Sequence, residues 1–278
     1  MKKILIVEDD TTTRQFLRGT LKAAGFSVTV AANGRAAIDR LKIERFDLAL
    51  TDIWMPRVNG FELLAWLRDR AQGPRVIVLT SDDTPETVLA SIREQAYHYI
   101  RKPVDPKELL RLVEVAVNSS GAAPPIEIVS AIPNWVELIV PCDLEAASRI
   151  VGFMEHLKAD LPPEVRDQVG QAFRELLNNA IEWGGHLDPN QKVRISYLRA
   201  RRMLLYRIAD PGGGFRFEEL EHSALDNPPD EPTKHLEVRE QKGLRPGGFG
   251  LLLVRAMVDE LLYNEAQNEV VFIKYLDS

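Results

Sequence analysis

Lys3-Ile4-Leu5-Ile6-Val7-Glu8-Asp9-Asp10 opens the chain with an unbroken apolar run that ends abruptly in three acids, and this pattern decides the fold. Four consecutive apolar side chains without polar alternation suit a strand covered on both faces, as in a parallel sheet. The pattern returns further on, each time closing on a polar group: Leu48-Ala49-Leu50 before Asp52, Val76-Ile77-Val78-Leu79 before Thr80, and a shorter run before Lys102-Pro103. Residues 3–8, 27–31, 47–52, 75–80 and 97–101 read as strands, and amphipathic segments at 12–24, 35–43, 60–70, 85–95 and 106–117 read as the helices between them. The expectation is an α/β fold with a doubly wound parallel five-stranded sheet over residues 1–118. In such a sheet with strand order 2-1-3-4-5, Glu8, Asp9 and Asp52 converge beyond the strand ends at the switch point.

The 278-residue length suggests two domains. Asn118-Ser119-Ser120-Gly121-Ala122-Ala123-Pro124-Pro125 has no periodicity and reads as a linker, taken to span 119–134. Over 135–278 we expect a strand at 135–140, helices at 143–160 and 163–183, a strand pair at 192–200 and 203–209, a long irregular span, a helix at 249–261 and a last strand at 269–276. Helices early and strands late indicate an α+β sandwich. The net charge of -6, from 41 acidic and 35 basic residues, disfavours direct nucleic-acid binding. A single cysteine, Cys142, excludes an internal disulfide and fits a reducing, cytoplasmic setting. No apolar stretch reaches the roughly 20 residues that span a bilayer, so no membrane partner is expected.

Three clustered carboxylates repel one another, and a divalent cation relieves that repulsion; Mg²⁺ suits an all-oxygen site that also holds a phosphoryl group. Asp52 is then the nucleophile on phosphorus, with Lys102 and the Thr80 hydroxyl meeting the phosphoryl oxygens. Alternatively, the acids of residues 8–10 merely cap the following helix and Lys102 is a solvated surface lysine.

In order and spacing, Glu8-Asp9, Asp52-Ile53-Trp54-Met55-Pro56 with Gly60, Thr80-Ser81, and Tyr99 ahead of Lys102-Pro103 resemble the response-regulator receiver family, whose fold is flavodoxin-like. The resemblance covers the whole first domain. It implies that Asp9 and Asp52 ligate Mg²⁺ directly, that Glu8 acts mainly through water, and that the Trp54 carbonyl completes the ligands. It also implies that Thr80 and Tyr99 form a switch pair and that a cognate histidine kinase is the phosphodonor.

In the second half, Glu175-Leu176-Leu177-Asn178-Asn179-Ala180 lies on an expected helix, where Glu175 and Asn179 share one face. This segment resembles the N-box of the GHKL (Bergerat-fold) ATPases. Asp210-Pro211-Gly212-Gly213-Gly214 is similar to that family's Asp-x-Gly-x-Gly box, and Gly247-Gly248-Phe249-Gly250 opens an apolar helix. By this resemblance Asn179 ligates Mg²⁺ bridging the ATP phosphates, Glu175 is the candidate general base, and Asp210 accepts the adenine amino proton. Gly212, Gly214, Gly247, Gly248 and Gly250 give the backbone close access to the nucleotide. Guanine sets an acceptor against Asp210, so ATP is favoured over GTP. Residues 215–246 read as an ATP lid or an acidic disordered insertion, with Lys242 and Arg245 near its end.

Over about 135–278 the chain looks most like the anti-sigma-factor serine kinases, which implies a sigma factor or an anti-sigma antagonist as partner. Trp183 departs from that pattern, because those kinases usually carry His at this place. Both families often dimerise, so the resemblance implies a possible homodimer. Three readings stay open: a receiver-controlled serine/threonine kinase, a non-catalytic ATP-dependent partner-switching module, and a hybrid histidine kinase. The last lacks room for a dimerising hairpin, and His156 is its sole candidate phosphoacceptor.

Overall fold

The computed structural model describes residues 1–68, 70, 73–82, 84–119, 123–132, 134–158, 160–214 and 249–276. The chain divides into two compact units, Met1–Ala123 and Pro124–Ser278.

In the first unit, strands β1 (Lys3–Val7), β2 (Ser27–Ala31), β3 (Leu48–Asp52), β4 (Arg75–Thr80) and β5 (His98–Arg101) form one parallel sheet in the order β2-β1-β3-β4-β5. Ile4 to Val7 and Leu48 to Leu50 are wholly buried, as the unbroken apolar runs require of strands with both faces covered. Between the strands lie α1 (Thr11–Ala23), α2 (Gly34–Ile43), α3 (Gly60–Arg68) and α4 (Pro85–Arg93), and α5 (Pro106–Asn118) closes the unit. Four of these five helix starts carry a side-chain cap. Asp10, Asn33, Thr84 and Asp105 cap α1, α2, α4 and α5 through their side chains, and prolines stand at the first helical positions of α4 and α5. Leu109, Leu112, Val113, Ala116 and Val117 give α5 one apolar face, which packs with Ile4, Ile6, Ile77 and Tyr97.

The second unit is a six-stranded antiparallel sheet carrying helices. Its strands are β6 (Glu127–Ile132), β7 (Trp135–Pro141), β8 (Lys192–Ala200), β9 (Met203–Ala209), β10 (Glu260–Tyr263) and β11 (Glu269–Tyr275), ordered β10-β11-β9-β8-β7-β6. Helices α6 (Leu144–His156) and α7 (Pro163–Asn179) precede β8, a π-helical turn (Ala180–Gly184) extends α7, and α8 (Gly250–Met257) follows β9. The α7 face bearing Val169, Phe173, Leu176 and Leu177 is buried. Phe173 meets Tyr206 at 5.2 Å between ring centroids, so α7 is seated on β9 through aromatic rings, and Tyr206 in turn stacks on Phe272 of β11 at 4.8 Å.

Three expectations need correction. Residues 127–132, assigned to the linker, form β6 and pair with β7; exposure alternates along this edge strand, so it lacks the continuous apolar signal of a central one. The helix expected at 249–261 stops at Met257, and Leu261-Leu262-Tyr263 pairs with β11 instead. A short apolar run suits either state, and the neighbouring strand decides it. The helix expected over 143–160 ends at His156.

Candidate functional site

Above the carboxyl ends of β1, β3 and β5 the first unit gathers its acids and one cation. Carboxylate oxygens of Glu8, Asp9 and Asp52 lie within 4.8 Å of one another. Lys102 Nζ stands 2.5 Å from Asp52 Oδ2 and 2.8 Å from Glu8 Oε2. Glu8 is fully buried, and this desolvation raises its carboxyl above the ordinary value against the opposing pull of Lys102. Burial would lower Lys102, but hydrogen bonds and charge from Asp52 and Glu8 outweigh it and raise the ammonium. The three carboxylates offer a cluster of oxygen donors that the Lys102 ammonium does not fully neutralise, which fits a hard divalent ion such as Mg²⁺.

Local chain geometry holds this cluster open. Asp10 caps α1 by accepting from the Thr13 N–H at 2.7 Å, and Glu8 Oε1 accepts from the Asp10 N–H at 3.2 Å. The Arg14 guanidinium donates to the Glu8 and Asp9 carbonyls at 2.6 and 3.0 Å, fixing the turn that presents them. The Trp54 N–H donates to Asp52 Oδ1 at 3.2 Å, while the Trp54 side chain is largely exposed. Gly60 is demanded by its surroundings, since a Cβ there would lie 2.3 Å from the Asp52 carbonyl oxygen.

Thr80 and Tyr99 are both buried, and both engage residue 82. Thr80 Oγ1 accepts from the Asp82 N–H at 3.1 Å, and the Tyr99 hydroxyl donates to the Asp82 carbonyl. Burial alone would raise the Asp82 carboxyl, but hydrogen bonds from Thr84, Thr87 and Trp54 outweigh it and hold it low. Sequence reasoning missed Arg14 and Asp82, which carry their roles through backbone contacts that leave no residue-type signature.

In the second unit, three segments distant in sequence meet. Glu175 and Asn179 are half-buried on one face of α7. Gly250 begins α8 so close to α7 that a Cβ would fall 2.6 Å from Glu175 Oε2. At the end of the π-helical turn, Gly184 abuts Asp210: a Cβ there would sit 2.3 Å from the Asp210 carboxylate. Asp210 in turn accepts from the Gly212 N–H at 2.8 Å, and burial raises its carboxyl despite that bond. Gly214 has φ +83, and a Cβ would lie 1.5 Å from the Ala266 carbonyl oxygen, so glycine is required there. Beneath this loop Cys142 is buried against Gly185, and its thiol is pushed up to about 11 by burial and then by Asp210 and Asp188.

Gly247, Gly248, Lys242, Arg245 and the expected lid lie outside the described residues. Trp183 is half-exposed on the π-helical turn. Among the described residues no helix is long and apolar enough to cross a membrane. The cradle of small residues around a partly buried carboxylate, with Glu175 and Asn179 on the adjoining helix, fits a nucleotide with its associated cation.

Comparison with known proteins agrees with this division. Residues 4–114 match the response regulator receiver domain family, and residues 140–274 match the histidine kinase-like ATPase domain family. A 14.6 kDa protein from the region 3′ of sodA1 in Leptolyngbya boryana is 41% identical over 113 residues, covering 40% of this chain and 86% of that protein. Response regulator MprA of Mycolicibacterium vanbaalenii is 36% identical over 108 residues, 39% of this chain and 47% of MprA. The match thus spans about half the length of that relative. Among solved structures, the Vibrio cholerae chemotaxis protein CheY4 is 32% identical, covering 42% of this chain and 98% of CheY4 with a TM-score of 0.40. A CheY-like receiver domain protein from Methanospirillum hungatei is 33% identical, covering 42% and 94% with a TM-score of 0.41.

Proposed function

We propose, from the premise that this chain belongs to the response-regulator receiver family over residues 4–114 and to the histidine kinase-like ATPase family over residues 140–274, that phosphorylation of Asp52 controls an ATP-dependent serine/threonine kinase. The receiver implies a phosphodonor such as a histidine kinase, and the second family implies ATP binding. Asp52 attacks phosphorus: its oxygen forms the new O–P bond as the N–P bond of a donor phosphohistidine breaks, and the imidazole leaves with the electron pair and takes up a proton. Lys102 balances charge on the phosphoryl oxygens, and the Thr80 hydroxyl turns from the Asp82 N–H to donate to one of them. Glu8, Asp9, Asp52 and the Trp54 carbonyl would hold Mg²⁺, which supplies positive charge against the phosphoryl oxygens when bound. Tyr99 completes the switch.

In the ATPase domain Asp210 accepts from the adenine amino group, and Gly212, Gly214 and Gly250 leave room for the nucleotide. Asn179 would hold the second Mg²⁺. Glu175 takes the proton of a partner serine or threonine hydroxyl as its oxygen bonds to the γ-phosphorus, and ADP leaves with the electrons of the broken bond. The observation that carries this reading is the approach of Gly250 to Glu175, because it joins two glycine-and-acid segments more than seventy residues apart at one carboxylate. A sigma factor or an anti-sigma antagonist is the partner class this reading favours.

A second reading is favoured by one feature, the half-exposed Trp183 on the turn whose Gly184 abuts Asp210. Under it the domain binds ATP without transferring phosphate and switches partners by conformation alone. Incubating the full chain with γ-labelled ATP, Mg²⁺ and candidate antagonist proteins separates the two. Kinase action predicts labelled phosphoserine or phosphothreonine on the partner, lost in Glu175→Ala while ATP binding persists. Intact ATP binding without any transfer supports the second reading.

A further inference from the structure

The hairpin between β10 and β11 grips the 210–214 loop at three points. The Asp210 N–H donates to the Asn268 carbonyl at 2.9 Å, Asn268 Nδ2 donates to the Gly212 carbonyl at 2.9 Å, and Gly214 packs its bare Cα against the Ala266 carbonyl. The hairpin is itself braced. Asn264 Oδ1 accepts from the N–H groups of Asn268 and Glu269 at 3.1 Å each, and Asn264 Nδ2 donates to Asn268 Oδ1 at 2.8 Å. Asn268 therefore uses its amide oxygen to anchor itself and its amide nitrogen to hold Gly212.

Gly212 is the residue whose N–H orients the Asp210 carboxylate. We propose that Asn268 is a positioning residue for base selection: it fixes residue 212, which fixes Asp210, which sets the acceptor that distinguishes adenine from guanine. This rests on the reading of 210–214 as the nucleotide-base loop. Glycine residues in a loop have many accessible conformations, so a carboxylate steered only by a glycine N–H is loosely aimed unless that glycine is held from its other side. The Asn268 side chain provides that hold, and it is short, doubly hydrogen-bonded and rooted at the start of β11.

The test is the affinity of the full-length chain for Mg²⁺-ATP and for Mg²⁺-GTP, measured by calorimetry on wild type and Asn268→Ala. Loss of one neutral hydrogen bond predicts ATP binding weaker by roughly five- to tenfold. GTP binding changes less, so the ratio of the two affinities narrows. That ratio is the diagnostic readout, since a general loss of folded protein weakens both nucleotides alike and leaves it unchanged. Should Asn268→Ala fail to fold, Asn268→Asp keeps the acceptor toward Asn264 and loses the donation to Gly212, and it should narrow the ratio too. An unchanged ratio in a folded variant, with wild type binding ATP, overturns the role of Asn268 and leaves the nucleotide site standing. Wild type that binds neither nucleotide overturns both.

Discussion

Lys158 is wholly buried in the turn between α6 and α7, its Nζ has no hydrogen-bond partner among the described residues, and it occupies the space beside Gly170, where a Cβ would lie 3.2 Å from that nitrogen. Burial pushes the ammonium down to about 8 from its ordinary 10.5; Glu155 and Asp167 oppose this, while Arg174 and Arg166 reinforce it. A folded value below the unfolded one means that the native state holds fewer protons between those limits. The cation therefore costs most below about pH 8, and stability rises as pH climbs from about 8 toward 10.5. At 1.36 kcal/mol per unit the cost at pH 7 is about 3 kcal/mol. Lys158→Met keeps the length and removes the charge, so it should stabilise the second unit by up to about 3 kcal/mol at pH 7, or about 6–12 °C in Tm. Urea unfolding followed through Trp135 and Trp183 at pH 7 and pH 9.5 measures this, with the gain shrinking at the higher pH. ATP affinity should stay unchanged, because Lys158 lies away from the Glu175 and Asn179 face. Equal or lower stability of the Met variant at pH 7 refutes the argument and means that the ammonium is paired or hydrated.

Gly184→Ala drives a Cβ toward the Asp210 carboxylate, which must swing away; calorimetry should find ATP binding weakened by about tenfold or more with the circular dichroism spectrum retained. Mg²⁺ binding to the receiver, followed by Trp54 fluorescence, should weaken on acidification above the ordinary glutamate range, because buried Glu8 takes up its proton at a higher pH than an exposed glutamate does. Lys102→Met removes the cation that opposes this, so the acid inflection should move further up; an inflection that moves down contradicts the assigned ion pairing. The same variant should slow phosphorylation of Asp52 by acetyl phosphate by roughly a hundredfold.

The receiver was legible because its chemistry sits where strands end. Glu8, Asp52 and Thr80 each follow an apolar run, so the pattern that marks a buried strand also locates the residue at its tip, and all five strands fall within a residue of their expected bounds. The second unit was less so. Its helix α7 and the β8–β9 pair carry strong periodicity, but β6 is a half-exposed edge and β10 is four residues long, and both exist only through their partners. At the candidate sites, residue types singled out Glu175, Asn179 and Asp210 as candidates. The contacts made by Arg14, Asp82 and Asn268 depend on backbone carbonyls and amides, which every residue carries.

The most direct test of the whole account is the Mg²⁺-ATP affinity of the full chain with and without beryllofluoride, a mimic of the phosphoryl group on aspartate, with Asp52→Asn as control. Control of the ATPase domain by the receiver predicts saturable ATP binding whose affinity or heat changes when the mimic is added to wild type and does not change in Asp52→Asn. No binding, or wild-type binding indifferent to the mimic, would contradict it.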